Sequence, residues 1–385
     1  MVYLDYAATT PADPAAVAML AELAGSGTGF ANASSAHVAG RRAARHVETA
    51  AAQVAGLLGC DPGRLVWTSG ATEADNLAIL GAARARAGDG RHLVTMPTEH
   101  KAVTDTFRAL EQEGFEVTWL APKADGRLDL DRLAAAIRDD TQLVSIMHVN
   151  NETGVVQNIA GIGALCRERG VLYHVDAAQS AGKLPLDLDR LPVDLLSVSA
   201  HKLYGPKGIG VLCLGAGIGS PVLPLFFGGS QQRGLRPGTL PVPLIAAFGA
   251  AAATARASLA ADLAHVTAMR DRLLAGLEGL PGLRVNGSLE HGYPGIVNVS
   301  AAGVEGESLL LALEPVCVAA GSACNAKDRE PSAVLRALGL DDREAGSAIR
   351  FSFGRPTTAA EVDFAAKRYR AAVERLRGMA PGQAA

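Results

Sequence analysis

Residues 172–202 read LYHVDAAQSAGKLPLDLDRLPVDLLSVSAHK. Two short aliphatic runs, 172–175 and 195–199, each give way to residues with chemical reach: Asp176 and Gln179 after the first, His201 and Lys202 after the second. Continuous apolar runs of this length predict strands buried on both faces. Similar runs occur at 65–68, 92–96, 116–120 and 143–149 upstream and at 210–214 downstream. Alanine-rich amphipathic stretches separate most of them, at 74–86, 101–113 and 159–169. This alternation predicts right-handed crossovers and an α/β fold with a mainly parallel seven-stranded sheet covered by helices. Ligands of such sheets bind outside the carboxyl ends of the strands. Polar clusters stand at five of those ends, around Thr68–Thr72, His100, Asn151, Asp176 and Lys202, and are predicted to converge on one pocket.

The remainder of the chain frames this sheet. A chain of 385 residues with 49% hydrophobic and 19% charged residues is long enough for more than one core. A Gly/Pro-rich passage follows residue 214, then a long alanine-rich helical pattern over 244–277, then mixed segments at 294–300, 316–320 and 348–352. The expected division is a large domain over 12–258 and a smaller α+β C-terminal domain formed by 1–11 with 259–385. A net charge of −3 argues against a nucleic-acid-coating or membrane-surface protein. The start of the sequence lacks a basic stretch followed by an apolar run, and the expected location is cytoplasmic. The five cysteines show no metal-binding spacing. Cys60, Cys166, Cys213 and Cys317 are expected to be reduced structural thiols.

Three clusters carry readable chemistry. Ser69-Gly70-Ala71-Thr72-Glu73 joins a strand to a helix, so its backbone N–H groups could cradle an anion, or Ser69 or Thr72 could simply cap the helix. Asp176 follows a buried strand, where a carboxylate calls for a cation such as a protonated pyridine nitrogen, or serves as an N-cap. Lys202 sits directly against a strand end among small residues, where desolvation suits an amine to Schiff-base chemistry; Lys207 is the weaker candidate.

Taken with Tyr3-Leu4-Asp5-Tyr6-Ala7-Ala8-Thr9-Thr10, Thr98-Glu99-His100-Lys101, Arg236-Pro237-Gly238-Thr239, Gly321-Ser322-Ala323-Cys324 and Ile349-Arg350-Phe351-Ser352, these clusters resemble the cysteine desulfurases of the NifS/IscS type. Those enzymes form part of the class-V aminotransferase branch of fold type I, dependent on pyridoxal 5'-phosphate. The likeness runs nearly end to end. It implies that Lys202 forms the Schiff base with the cofactor, Asp176 pairs with its ring nitrogen and Gln179 contacts its phenolic oxygen. His100 would stack on the ring and shuttle protons. Ala71, Thr72, Ser199 and His201 would hold the phosphate, with Thr239 reaching it from the second subunit of a homodimer. Asn151 and Arg350 would bind the carboxylate of L-cysteine, and Cys324 would take its sulfur as a persulfide. A sulfur-acceptor protein, either an iron–sulfur scaffold or a tRNA thiolase, is the implied partner. No resident metal is expected, although Cys324 could transiently ligate a nascent iron–sulfur cluster. Neither a membrane nor direct nucleic-acid binding is implied.

The chain departs from the pattern at Ser230, Gln232 and Pro237, beside the implied dimer and phosphate contacts, and at Asn325 after Cys324. The competing readings are a selenocysteine lyase or transaminase of the same branch, or a non-catalytic sulfur-relay subunit.

Overall fold

In the computed structural model, residues 1–25, 29–216, 222–320 and 331–379 are described. In chain order, β1 (Val2–Tyr3), α1 (Pro14–Ala24) and α2 (Val38–Leu58) lead into β2 (Leu65–Thr68). Then come α3 (Ala71–Ala85), β3 (His92–Thr95), α4 (Lys101–Gln112), β4 (Glu116–Trp119), α5 (Leu130–Ala136), β5 (Thr141–Ser145) and α6 (Ile159–Glu168). The central region closes with β6 (Leu172–Asp176), β7 (Leu195–Ser199) and β8 (Gly210–Leu214). The helix α7 (Val242–Leu277) connects these to β9 (Leu283–Asn286), β10 (Ile296–Ala301), α8 (Gly306–Ala312), β11 (Val316–Cys317) and β12 (Ala319–Ala320). Last come α9 (Ala333–Ala337), α10 (Asp342–Gly346), β13 (Ile349–Ser352) and α11 (Ala359–Met379).

The large sheet has seven strands in the order β2-β8-β7-β6-β5-β3-β4. Its neighbours pair in parallel except for β8, which runs antiparallel to both β2 and β7. Side chains alternate across it with a period of two. Tyr173, Val175, Leu196 and Val198 join one core, whereas Leu172 and Leu195 join the core on the opposite face. The mainly parallel seven-stranded architecture therefore follows the alternation of strand and helix in the sequence.

One segment parts from the sequence reading, and another is resolved in a way the sequence left open. The run 143–149 was expected to be one strand, yet β5 ends at Ser145. Beyond it the Asn150 side chain accepts from the N–H groups of Glu152 and Thr153 at 3.0 and 2.9 Å, which turns the chain back on itself. The run 316–320 is divided between two sheets, β11 pairing with β1 and β12 with β13. The antiparallel strands β12-β13-β10-β9 form a second sheet.

Among the described helices, α7 alone is long and apolar enough to cross a membrane by those two measures. Its apolar residues have packing partners. Ile245, Phe248, Ala252 and Ala255 lie in a core beneath the large sheet, and Val266, Met269, Leu273 and Leu277 lie in the core of the C-terminal sheet. Its length serves to join two cores.

Candidate active site

Lys202 ends a single 3-10 turn, Ala200–Lys202, that follows β7 directly. Its Nζ donates to the backbone oxygens of Ala7 and Ala8 at 2.6 and 2.8 Å. The Ala7 oxygen also accepts from Nε2 of Gln179 at 2.7 Å, while Oε1 of Gln179 accepts from Lys183 Nζ at 2.7 Å. A lysine and an amide thus meet at one carbonyl of the N-terminal segment, and a second lysine donates to that amide. Burial, followed by the charges of Lys202 and Arg350, pushes the Lys183 ammonium well below the usual lysine range.

Asp176 closes β6, is 6% exposed and accepts a hydrogen bond from the Ala178 N–H at 2.8 Å. Burial and the nearby Asp75 raise its carboxyl to about 6, against the opposing pull of His100 and His174. Behind it, Asp75 is buried and finds no hydrogen-bond partner among the described residues; Nε2 of His174 is 3.5 Å away. A buried acid in such a setting is poised for a cation.

His100 is the N-cap of α4, and its Nδ1 accepts from the Ala102 N–H at 3.1 Å. In the neutral ring the proton therefore sits on Nε2. Across the site, Arg350 in β13 is 2% exposed. It donates through Nη1 to the Asn151 backbone oxygen and through Nη2 to Asp5, each at 2.7 Å. Its buried Nε has no partner among the described residues. The fork expected for a substrate carboxylate is thus already engaged at two of its N–H groups, with the Nε side uncommitted. Glu152, next to Asn151, is raised to about 7 by burial, while hydrogen bonding to Ser332 and the charges of Arg350 and His100 lower it.

At the sheet's other exit, α3 begins at Ala71 and carries no side-chain cap, so the N–H groups of its first turn face an open end. Ser199 stands across from it: a Cβ built on Gly70 would come 3.7 Å from Ser199 Oγ. Gly210 must be a glycine, because a Cβ there would meet Val198 O at 2.4 Å and Gly70 Cα at 2.7 Å. His201 bonds through Nδ1 to Thr9 Oγ1 at 3.1 Å. Burial and the charges of Lys202, Lys207 and Lys183 lower it to about 4.

Thr239 is exposed, three residues beyond Arg236, which binds Glu73 in the first turn of α3 at 2.7 Å. Gln232, one of the departures, clamps the edge strand β2 by donating through Nε2 to the Trp67 oxygen at 2.9 Å and accepting from its N–H. Cys324 lies outside the described residues. The segment that bears it leaves from Ala320 in β12, a strand whose Ala319 pairs with Arg350. The chain is described again before Ser332, whose hydroxyl donates to Glu152.

Sequence reasoning gave no role to Asp5, Lys183, Glu152 or the carbonyls of Ala7 and Ala8. Asp5, Ala7 and Ala8 fall within a quoted matching segment, but nothing local shows that they meet residues 202 and 350.

The site's chemistry fits pyridoxal 5'-phosphate. The open end of α3 beside Ser199 suits a phosphate, buried Asp176 suits a ring cation, and Lys202 offers an amine. The cationic crowding of Lys183, Lys202 and Arg350 suits anionic ligands.

Comparison with known proteins agrees with this geometry. The aminotransferase class-V family matches residues 2–364. The chain is 52% identical over 381 residues to the cysteine desulfurases IscS of Vibrio campbellii and of Escherichia coli strain K12 / DH10B, covering 99% of this chain and 94% of each of theirs. A NifS-like protein of known structure superposes with a TM-score of 0.90 at 34% identity, covering 97% of this chain and 100% of that one. SspA in complex with cysteine gives 0.82 at 36% identity, covering 93% and 100%. The chain therefore belongs to the class-V aminotransferase family, in the branch of the cysteine desulfurases.

Proposed function

We propose that this protein converts L-cysteine to L-alanine and keeps the sulfur as a persulfide on Cys324. The observation that carries this reading is the gathering of Lys202, Gln179, Asp176 and His100 at the strand exits of the large sheet, with Arg350 of β13 alongside, in a chain 52% identical to IscS cysteine desulfurases. Pyridoxal 5'-phosphate, when bound, supplies an aldehyde for amines and an electron sink for the substrate Cα.

The residues of the chain do the rest. Ala71, Thr72, Ser199 and His201 hold the phosphate, and Asp176 keeps the ring nitrogen protonated. Arg350 and Asn151 orient the substrate carboxylate, with the Nε face of Arg350 available to it. Lys202 is placed to take the Cα proton, a role that contributes about 10²–10⁴-fold when the base is well positioned. His100 shuttles protons near the substrate thiol, and the Cys324 thiolate attacks that sulfur while it still carries its proton. The C–S bond breaks, its electron pair remains with the alanine skeleton, and the S–S bond forms on Cys324. Pairing of Ala319 with Arg350 and the tie from Ser332 to Glu152 support a Cys324 segment that starts and ends beside the carboxylate site.

We further propose a homodimer in which Thr239 serves the partner's phosphate site. Its exposure, and the solvent-facing Phe226 and Phe227 earlier in the same passage of sequence, support this. The large domain is assigned to 12–258 and the small one to 1–11 with 259–385, the location is cytoplasmic, and an acceptor protein takes up the sulfur.

The test is mass spectrometry after incubation with L-cysteine. One extra sulfur on Cys324, matched by alanine release and lost in Cys324→Ala, is the expected result. Alanine formation unchanged in that variant, with no sulfur on Cys324, overturns it.

A further inference from the structure

Cys60 and Cys213 lie 153 positions apart in sequence, yet their Sγ atoms are 3.4 Å apart. Their placement is rigid. Cys60 follows the C-terminus of α2, where its N–H donates to Ala55 O at 3.1 Å. The preceding Gly59 has φ +66°, and a Cβ there would come 2.7 Å from Asp187 Cα. Cys213 sits within β8, paired with Leu65 on one side and Leu196 on the other.

The two sulfurs are unequal. Cys60 is half-buried, whereas Cys213 is 1% exposed. The hydrogen bond from Cys213 lowers the Cys60 thiol, with help from the guanidinium of Arg64, while that bond and burial raise Cys213 well above the usual range. Arg64 itself binds Asp189 at 2.9 Å, and its buried Nε has no oxygen acceptor among the described residues. An accessible sulfur near a guanidinium, backed by a shielded thiol within contact, is the arrangement of an attacking and a resolving cysteine.

We propose that Cys60 and Cys213 form a redox-modification site, separate from the desulfurase chemistry, at which hydrogen peroxide closes an intramolecular disulfide. The Cys60 thiolate attacks one peroxide oxygen; the O–O bond breaks and the departing oxygen takes a proton to leave as water. Cys60 is now a sulfenic acid. Cys213 gives up its proton and attacks the Cys60 sulfur; the S–O bond breaks, the S–S bond forms and a second water leaves. The two sulfurs together lose two electrons and the peroxide gains them. The sulfurs must close from 3.4 Å to about 2.05 Å, within reach of small side-chain rotations.

The test uses the full-length holoenzyme, freed of reductant and exposed to hydrogen peroxide. It is then denatured in acid, alkylated and mapped by mass spectrometry, which keeps oxidation at Cys324 distinct from this pair. The expected product is a peptide pair joining Cys60 to Cys213, lighter by two hydrogens and restored by dithiothreitol. In Cys213→Ser, dimedone should label Cys60, and in the wild type it should not. Full alkylation of both cysteines while Cys324 oxidises would overturn the proposal. So would Cys60 advancing to a sulfinic acid in the wild type while Cys213 stays free.

Discussion

Asp176 is costly to the protein without its cofactor. Its carboxyl titrates near 6 in the folded chain against an ordinary 3.8, so the folded state binds this proton more tightly than the unfolded chain does. Stability is therefore lost as pH rises from about 4 to about 6, on the order of 3 kcal/mol in all, and the loss is complete above that window. Asp176→Asn removes the ionisation and can keep the bond from Ala178. Cofactor-stripped Asp176→Asn should melt at a higher temperature than stripped wild type at pH 8, with the difference shrinking toward pH 4. Pyridoxal 5'-phosphate should stabilise the wild type more than the variant; a lower melting temperature for the stripped variant at pH 8 contradicts the assignment. Arg350 makes a second prediction. Arg350→Lys keeps the charge but loses the planar fork that reaches both Asp5 and Asn151. One charge-assisted hydrogen bond is worth roughly 1.5–3 kcal/mol, so KM for cysteine should rise about 10- to 100-fold. An unchanged KM would move the carboxylate site elsewhere.

Among the elements, the crossing of β8 over the start of α3 is a tight joint near the site. Gly210→Ala would force Val198 and Gly70 apart, at a cost of about 1–3 kcal/mol from overpacking. Because Gly70 faces Ser199, cofactor affinity should fall along with melting temperature, which titration of stripped protein with pyridoxal 5'-phosphate would reveal. At this scale the sequence was readable wherever an element carries its own pattern. The strands 65–68, 195–199 and 210–214 agree with β2, β7 and β8 residue for residue. The run 316–320 was readable only as a segment of a mixed α and β lobe, because nothing in five apolar residues records that β1 takes one end and β13 the other. Gln232 looked like a departure near a glycine-rich turn, and its clamp on Trp67 depends on a residue 165 positions away. Pairings of that span leave no local periodicity.

The whole molecule depends on α7 to join its cores. Phe248 is fully buried in the first of them against Trp67, so Phe248→Ala should lower unfolding free energy by about 3–5 kcal/mol in denaturant titration. Exposed Phe227, 86% accessible in one chain, belongs to the proposed dimer face, and Phe227→Asp should shift the protein toward monomer in sedimentation. The convergence of strand ends was foreseeable from the parallel sheet, which is why Lys202 and Asp176 could be singled out from their positions, whereas the roles of Gln179 and His100 came from the family resemblance. The parts supplied by the chain's first residues could not, since Leu4–Thr10 has no place in that sheet. Those residues hold Lys202 through Ala7 and Ala8, Arg350 through Asp5, His201 through Thr9, and β13 through the bond from Ser352 N–H to Leu4 O. Two segments 345 positions apart in sequence are thus stitched together around Lys202. A nascent chain that has not yet released β13 has no finished pocket, and deleting residues 4–10 would cost the pocket as surely as removing β13.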